Sequence, residues 1–271
     1  MLLTDTNTNR VYFSAHIKDF SFYPTLLKEL DKHQIEHKLL AHTKDYWVRD
    51  FMPIQITENE FVQYQYQPDY LKKEKKYISN PQKCFEFLNL KPTPLDVILD
   101  GGNVIKCKNR IIMTNKVFTE NKNLSKLQLI HTLEHTFKTE ISFIPWDKNE
   151  IYGHADGMVR YIGNNKIILN NYIDYDKTLR NKIIKVLKPH FDIIELHYPI
   201  SSPSPRNWAY INFLHTANLI LLPALQIYED ELALKQIHEA FPNHSIEQIN
   251  VSEIIKLGGA LNCISWNIKY K

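Results

Sequence analysis

Glycine is scarce in this sequence. There are 7 glycines among 271 residues, where average usage of about 7% would give roughly 19. Six of them lie in three short stretches, LDGGN (99–103), GHADG (153–157) and LGGALNC (257–263). Glycine is needed where the backbone takes a positive φ or approaches another group closely. Each stretch also holds side chains able to do chemistry: Asp100, His154 with Asp156, and Cys263. Ordinary turns are the alternative interpretation, but we expect these stretches to carry the functional site.

Cysteine is also rare, with 3 residues in the chain. An odd number of cysteines in a chain of this length indicates no disulfide framework, and a reducing, cytoplasmic setting fits best. No two cysteines have the spacing of a zinc finger, and the His154-Ala-Asp156 pair alone is a weak metal motif. We therefore expect no metal, and structural roles for Cys84 in a helix-like stretch and Cys107 in a strand.

Long hydrophobic runs are absent as well. The longest, residues 217–225, is interrupted by Asn218 and Pro223 and falls well short of the ~20 apolar residues of a membrane span. The first residues, 1–11, lack the apolar segment of a signal peptide. The sequence therefore predicts no membrane partner.

The charges are nearly balanced, with 33 basic against 30 acidic residues and a net charge of +3. A balance this diffuse does not favour a nucleic-acid partner. The KKEKK segment (72–76) is expected to be a solvated loop or helix start, with a polyanion patch as the alternative. Hydrophobic residues at 44% and charged residues at 23% are typical of a globular protein and exclude a disordered chain, a collagen or a coiled coil.

Strand-like and helical patterns alternate along the whole chain. A unit of strand, strand, helix and strand recurs about every 50 residues, which is typical of a repeat or propeller architecture. This repeat, and the lack of a Pro/Gly/Ser-rich linker in the sequence, favour one α/β domain spanning residues 1–271. The SSPSP segment (201–205) is expected to be a loop. Apolar residues at helical spacing predict four principal helices: Tyr23–His33, Ser125–Phe137, Lys177–Lys188 and Asp230–Ala240.

Strands are predicted from extended apolar segments. The predicted strands are Val11–His16, Lys38–Ala41, Phe51–Ile56, Phe61–Tyr66, Val97–Leu99, Asn103–Lys106, Arg110–Thr114, Glu140–Ile144, Met158–Ile162, Lys166–Leu169, Asp192–Leu196, Ala209–Leu214, Asn218–Leu222, Ile246–Val251 and Leu261–Ile268. His154 and Asp156 are two residues apart, so a strand there would direct both side chains to one face.

A single site built from the reactive residues would suit a guanidino compound. Three carboxylates, Asp50, Asp100 and Asp156, would raise one another's pKa values if they converged, and a bound cation would relieve the repulsion. A guanidinium group presents five N–H donors in a planar fork that matches carboxylates. With His154 as a proton carrier and the Cys263 thiolate beside the guanidinium carbon, the site would be arranged for nucleophilic attack on that carbon.

Five stretches in this order resemble the agmatine deiminase and Porphyromonas-type peptidyl-arginine deiminase family of the guanidine-modifying (pentein) superfamily: WVRDFMP (47–53), LDGGNVI (99–105), GHADGMVRYI (153–162), WAYINFLHTANLILLP (208–223) and GGALNCISW (258–266). The resemblance implies an α/β fold, a five-fold pseudosymmetric propeller of ββαβ-type units. It implies no metal or organic cofactor. The family often forms dimers or higher oligomers, so a homo-oligomer is compatible with it.

The resemblance also implies a role for each reactive residue. Cys263 would attack the guanidinium carbon to form a covalent thiouronium, and His154 would protonate the departing ammonia and then activate water. Asp50 and Asp156 would clamp the guanidinium nitrogens. Asp100 stands where agmatine deiminases usually have a glutamate that supports the histidine.

The resemblance makes agmatine the default substrate, converted to N-carbamoylputrescine for putrescine biosynthesis. Asn212 matches an asparagine that peptidyl-arginine members use near the Cys–His pair. Asp45 and Trp47 are candidates for binding the far end of the substrate. An arginine substrate would instead need a cation there for its α-carboxylate, such as Arg160 or Arg206.

Three alternatives to an agmatine deiminase stay open. The substrate could be free arginine or peptidyl arginine, an amine could replace water in an amidinotransferase reaction, or the propeller could bind guanidines without turnover. The sequence departs from the family at Asp100, at Met52 in place of a common glycine, and in the segment 61–71.

Overall fold

The computed structural model describes residues 1–150, 152–198 and 209–270. Within these ranges the chain forms fifteen strands: β1 (Arg10–Ser14), β2 (Glu36–Leu40), β3 (Ile54–Gln55), β4 (Phe61–Gln65), β5 (Thr93–Ile98), β6 (Ile105–Cys107), β7 (Arg110–Thr114), β8 (Glu140–Ile144), β9 (Val159–Gly163), β10 (Lys166–Leu169), β11 (Asp192–Glu195), β12 (Leu214–His215), β13 (Leu219–Ala224), β14 (Ser245–Asn250) and β15 (Ser265–Ile268).

The described residues also form eight α-helices: α1 (Tyr23–Lys32), α2 (Val48–Phe51), α3 (Pro81–Phe85), α4 (Lys116–Glu120), α5 (Lys126–Phe137), α6 (Tyr172–Tyr175), α7 (Lys177–Leu187) and α8 (Glu229–Ala240). The four principal helices of the sequence analysis are confirmed. Ser125 caps α5, since its side chain accepts a hydrogen bond from the backbone N–H of Gln128, as serine does at helix starts. No helix in the described part of the chain is long and apolar enough to cross a membrane.

The strands form five three-stranded sheets of one design in the described residues. In each, the first strand pairs antiparallel with the second, and the second pairs parallel with the third, as β6, β7 and β8 do. A parallel pair needs a crossover connection, and a helix supplies it in every unit: α1, α3, α5, α7 or α8. The last strand, β15, pairs antiparallel with β1, so the C-terminal strand completes the first sheet. This confirms the repeating unit predicted from the sequence.

Each crossover helix buries one face. On α5 the residues Leu129, Leu133 and Phe137, spaced four apart, are almost fully buried, and such side chains each contribute about 1.5–3 kcal/mol relative to exposure. Cys84 and Cys107 are buried free thiols in α3 and β6, in line with the structural roles expected of them.

Several predicted strands begin too early, and they share one position in the repeat: the observed β3, β12 and β15 start only in the second half of the predicted segments 51–56, 209–214 and 261–268. The segment 51–56 begins as the end of α2, Ala209–Ile211 is a 3-10 turn, and the chain forms a strand after Cys263 only from Ser265. The residues of 153–157 likewise form a 3-10 turn at Ala155–Gly157 rather than a strand. Their backbone groups bond to side chains and turns instead of to neighbouring strands, as Asn212 does with the backbone of Cys263. The predicted loop 201–205 lies outside the described residues.

The turns that precede the first strand of each sheet carry the candidate site residues. Each precedes the first strand of one sheet, β3, β6, β9, β12 or β15. The five turns contribute, in chain order, Asp50, Asp100, His154 with Asp156, Asn212, and Cys263. The spacing of the reactive residues along the sequence therefore follows from the five-fold repeat.

Candidate active site

Asp50 lies in the last turn of α2 and is held from two sides. Its Oδ1 accepts a hydrogen bond from the backbone N–H of Gly102 at 3.1 Å, and its Oδ2 accepts one from the Tyr70 hydroxyl at 3.1 Å. A Cβ at position 102 would lie 2.7 Å from both Asp50 Oδ1 and His154 Nδ1. Only glycine therefore lets the backbone approach the carboxylate and the imidazole this closely.

The His154 ring lies between two carboxylates. Its Nε2 is 3.1 Å from Asp100 Oδ2, and its Nδ1 is 3.6 Å from Asp50 Oδ1. Burial by itself would lower the pKa of His154, but the charges of Asp50, Asp100 and Asp156 outweigh it and raise the pKa to about 10. Both ring nitrogens then carry protons at neutral pH, which suits an acid that will donate one.

The same crowding acts on Asp50. Burial, followed by repulsion from Asp100 and Asp156, raises the pKa of Asp50 to about 7, although His154 and the Tyr70 hydroxyl act in the opposite direction. Part of the Asp50 population is therefore protonated at neutral pH when no cation is bound. A cation beside Asp50 would favour the ionised carboxylate and would itself be stabilised.

Cys263 is positioned by Asn212. The side-chain oxygen of Asn212 accepts hydrogen bonds from the backbone N–H groups of Cys263 and Ala260, at 3.3 and 3.2 Å. The backbone oxygen of Asn212 accepts a third from the N–H of Asn262 at 3.0 Å. One buried asparagine thus fixes the turn that carries the thiol.

The thiol faces Asp156. Sγ of Cys263 donates to Asp156 Oδ2 at 3.6 Å, and the same oxygen accepts from Asn262 Nδ2 at 2.6 Å. Burial, together with the charges of Asp156 and Asp50, raises the pKa of Cys263 well above its usual value. The cysteine is therefore a thiol, and a weak nucleophile, until a positive charge enters the site.

Three aromatic side chains cover the centre, leaving Cys263 only 8% exposed. Tyr70 and Tyr152 pack edge to face, with ring centroids 5.0 Å apart. A Cβ at Gly259 would lie 2.1 Å from the Trp47 ring, and one at Gly258 would lie 2.3 Å from the Tyr152 hydroxyl. The glycine pair is thus required for the two rings to lie against the cysteine turn.

A cavity of about 490 Å³ lies outside these rings; we call it the vestibule. Besides Trp47, Tyr70 and Tyr152, its lining includes the acidic residues Asp19, Asp45 and Glu74 and the basic residues His16 and Lys44. Burial raises the pKa of Asp45 to about 6, although the backbone N–H groups of Tyr46 and Trp47 oppose the shift. Acidic and aromatic groups together suit an organic cation.

The cations on the other side of the site are already engaged. A space of about 20 Å³ lies between Arg49, Lys106, Arg160 and Asp156. Arg160 is 2% exposed and bonds to Asp5 at 2.9 Å. Arg160 does not line the vestibule, so it does not serve as the expected partner for a substrate α-carboxylate there. Arg206, the other arginine proposed for that role, lies outside the described residues.

The predicted site residues divide into three groups. The structure brings together Asp50, Asp100, His154, Asp156 and Cys263. Asn212 contacts the backbone of the cysteine turn, so a direct contact with substrate stays a prediction. Trp47 covers the centre, and Asp45 lines the vestibule.

Sequence reasoning missed Tyr70, Tyr152 and Asn262. Asn262 stands beside the cysteine in the GGALNC stretch, and its proximity to Cys263 was the available signal. Tyr70 lies in the segment 61–71, which only partly follows the family, so its contact with Asp50 had no sequence signal. Tyr152 immediately precedes the GHADG stretch.

Apart from the active site, three side chains in the described residues lie close enough together to hold a metal ion: Glu29, His33 and Glu247. It joins α1 to β14, apart from the turns that build the site. The Lys32 ammonium already bonds to both carboxylates, at 3.2 and 2.5 Å. The protein's own Lys32 ammonium thus occupies the position that a metal ion would take in this cluster.

The chain is similar in sequence to one protein family and to several curated proteins. Residues 10–268 match the family model of Porphyromonas-type peptidyl-arginine deiminase. One curated relative, from Mycoplasma capricolum, is provisionally named an agmatine deiminase. It is 27% identical over 221 residues, which cover 68% of this chain and 61% of the relative. The chain thus spans about three fifths of the length of the curated relatives that it matches most extensively.

Solved structures share the fold. The agmatine deiminase of C. jejuni superposes with a TM-score of 0.76 at 20% identity, covering 100% of this chain and 96% of the other. The agmatine deiminase of Enterococcus faecalis gives 0.76 at 15% identity, covering 98% and 95%. The propeller fold expected from the resemblance is confirmed. Because the family model spans nearly the whole sequence, the chain belongs to the Porphyromonas-type peptidyl-arginine deiminase family.

Proposed function

We propose that this protein is a cysteine-dependent guanidine iminohydrolase that converts a guanidino compound to its ureido product and ammonia. The observation that carries the proposal is the position of Cys263, 3.6 Å from Asp156, in a centre where His154 lies between Asp50 and Asp100. A thiol, a protonated imidazole and two clamping carboxylates are the groups that attack on a guanidinium carbon requires.

The first half of the reaction begins with binding. The substrate guanidinium lies between the carboxylates of Asp50 and Asp156, and its charge offsets theirs. The pKa of Cys263 falls, the thiol gives its proton to solvent, and Sγ bonds to the guanidinium carbon as a carbon–nitrogen π bond opens onto nitrogen. His154 donates its proton to the departing nitrogen, which leaves as ammonia, and a covalent thiouronium remains on Cys263.

In the second half of the reaction His154 acts as a base instead of an acid. His154, now neutral, accepts a proton from water, and the hydroxide adds to the thiouronium carbon. The carbon–sulfur bond then breaks, the added hydroxyl passes its proton to the departing sulfur, and the ureido product leaves with the Cys263 thiol regenerated. Holding the planar guanidinium against the thiol supplies proximity and orientation, which in the best-oriented intramolecular cases contribute about 7–11 kcal/mol. Splitting one difficult hydrolysis into two steps lowers each barrier.

Agmatine is the substrate that the vestibule favours. The free amine of agmatine is a cation, and the vestibule offers it Asp45, Asp19 and Glu74 among aromatic rings. Arginine would need a cationic partner for its carboxylate. Among the described residues that line the vestibule there is no arginine, and Lys44 is the permanent cation available. The product would be N-carbamoylputrescine, a precursor of putrescine.

The experiment is a measurement of ammonia release from agmatine, free arginine and a peptidyl-arginine substrate, with Asp45→Asn as a second enzyme. We expect turnover of agmatine in preference to the other two. Because Asp45 has no contact with the reacting centre, its loss should raise KM for agmatine more than it lowers kcat. Preference for arginine would contradict the assignment of an amine to the vestibule.

Amidino transfer is the second candidate, because the first half of the reaction is the same. Adding a primary amine to the agmatine reaction separates the two. Hydrolysis gives a ureido product and is indifferent to the amine. Transfer would instead deliver the amidino group to the amine, so that a new guanidino compound accumulates in proportion to the amine added.

A further inference from the structure

Lys116 is a buried lysine that the proposed reaction does not use. It is the first residue of α4, directly after β7, and it is 1% exposed. Its Nζ lies 2.7 Å from the backbone oxygen of Tyr152, 3.0 Å from Asp69 Oδ1 and 3.1 Å from Glu120 Oε1. An ammonium has three donors, so each finds an acceptor, as a buried charge requires.

Two of these acceptors belong to different parts of the active site. Asp69 begins the 3-10 turn Asp69–Leu71, which we call the strap. The strap carries Tyr70, whose hydroxyl donates to Asp50 at 3.1 Å and whose ring covers the centre. Tyr152 lies two residues before His154. Lys116 therefore joins the cover of the site to the segment that carries its histidine.

The chain before His154 is built around Lys116. Gly153 has a φ of +65°, and a Cβ there would lie 2.7 Å from Cδ of Lys116, so the lysine stem occupies the space that any larger residue would need. The carbonyl of Gly153 accepts a hydrogen bond from Oγ1 of Thr114 at 2.6 Å. Both carbonyls that precede His154 are thus held by one stretch of chain, Thr114 and Lys116.

The charge of Lys116 is permanent in this setting. Burial alone would lower the pKa of Lys116, but the carboxylates of Glu120, Asp100 and Asp69 raise it. The ammonium is therefore charged at neutral pH and is attracted electrostatically by Asp100, the residue that bonds to His154. A neutral side chain of similar length would retain the packing and lose all three hydrogen bonds.

We propose that Lys116 is a positioning residue that couples the strap to His154: it holds Tyr70 over the centre through Asp69 and orients the imidazole through the Tyr152 carbonyl. The inference rests on the proposed function for its kinetic consequences. Its structural half, the attachment of the strap, is independent of any substrate. The two links run through different partners, so separate substitutions can break them.

The exposed lysines after the strap give a direct readout of its attachment. Lys72 and Lys73 follow the strap and are exposed, so the rate of trypsin cleavage at these two bonds reports how often the strap opens. Lys116→Met removes both links, Asp69→Ala removes the strap link because alanine has no acceptor for the Lys116 ammonium, and Thr114→Val removes only a bond to the histidine segment. Lys122→Met, at an exposed lysine, is the control for loss of a positive charge.

We expect cleavage at these bonds, followed by mass spectrometry, to be about tenfold faster in Lys116→Met and Asp69→Ala, a modest factor because the Asp69 side chain is 41% exposed and such ion pairs are weak. Cleavage should be unchanged in Thr114→Val and Lys122→Met. With agmatine, Asp69→Ala should mainly raise KM, Thr114→Val should mainly lower kcat, and Lys116→Met should do both. Lys122→Met should match the wild type.

Wild-type cleavage in Lys116→Met or in Asp69→Ala would overturn the attachment of the strap. Equal losses of kcat in Asp69→Ala and Thr114→Val would overturn the division between the two links. If Lys116→Met fails to fold, as thermal unfolding would show, the other two variants still decide both points. If the wild type turns over no guanidino compound while the cleavage pattern is as expected, the proposed function fails and the role of Lys116 in holding the strap stands.

Discussion

Replacing Asp156 with asparagine should make Cys263 more reactive while it abolishes turnover. The carboxylate contacts Sγ at 3.6 Å and, after burial, is the largest cause of the raised pKa of Cys263. Asparagine has the same shape and no charge, so Asp156→Asn should lower the pKa of the thiol. The same change removes one of the two carboxylates proposed to clamp the guanidinium, so ammonia release should stop.

The size of the effect follows from the distance. Two unit charges 3.6 Å apart repel by roughly 4–5 kcal/mol at an effective dielectric constant of about 20. Each ~1.4 kcal/mol relieved raises the thiolate fraction about tenfold, and the lower basicity of the thiolate offsets about half of that gain on a logarithmic scale. We therefore expect alkylation of Cys263 to be at least about tenfold faster at pH 7.

The assay is the rate of carbamidomethylation of Cys263 by iodoacetamide, a small neutral reagent, followed by mass spectrometry. Mass spectrometry also separates Cys263 from the buried Cys84 and Cys107. Asp45→Asn is the matched control, because Asp45 lines the vestibule rather than facing the thiol. Alkylation in Asp156→Asn at or below the wild-type rate would refute the electrostatic reasoning.

Three further predictions concern stability and positioning. Gly259→Ala drives a Cβ into the Trp47 ring and should cost about 1–3 kcal/mol of unfolding free energy in urea denaturation, whereas Gly157→Ala, whose Cβ would meet nothing within 4 Å, should be near neutral. Asn212→Ala leaves two buried N–H groups without their acceptor and should lower the unfolding free energy by roughly 1–3 kcal/mol for each. Asn212→Asp retains an acceptor, so it should be more stable than Asn212→Ala. Its added negative charge near Cys263 should nevertheless give low activity in steady-state assays. Burial lowers the pKa of His215 from 6.5 to about 3, so the unfolded chain binds the proton first, and His215 should remove up to about 1.4 kcal/mol of stability per pH unit as the pH drops below 6.5. Asp45 and Asp50, whose raised pKa values act in the opposite direction, are common to wild type and His215→Gln, so the two proteins are compared by urea unfolding at pH 7 and pH 5. The change in stability should differ between them by this His215 contribution, and an equal change in both would contradict the assignment.

Much of the repeat could be predicted from the sequence, because the signals are local. Apolar spacing defined α1, α5, α7 and α8, and Ser125 supplied a recognisable start for α5. Strands such as β7, β8 and β10 were predicted with their observed bounds. Each of these elements buries one face against its own unit, so its periodicity records its structure.

The turns that build the site were predicted less well. Residues near Asp50, Asp156 and Cys263 have apolar neighbours that indicate strands, yet the structure forms short helices and turns there. Their conformations depend on contacts between distant segments, such as Asn212 with Cys263, 51 positions apart. Their identities could still be predicted, because glycine and reactive side chains occur together at these turns.

Lys116 shows the limit of sequence reasoning. It follows a strand in a stretch without glycine, and its partners Asp69 and Tyr152 are 47 and 36 positions away. No local pattern distinguishes it from the other lysines of the chain. Only the fold shows that it is buried beneath the strap.

The covalent bond proposed between Cys263 and the guanidinium carbon can be trapped and weighed. Wild-type protein turning over agmatine would be quenched in acid and its intact mass measured beside that of Cys263→Ala. We expect an adduct on Cys263 whose mass equals agmatine less ammonia, together with steady ammonia release, and neither of these in the variant. Ammonia release that persists in Cys263→Ala would show that Cys263 is not the nucleophile.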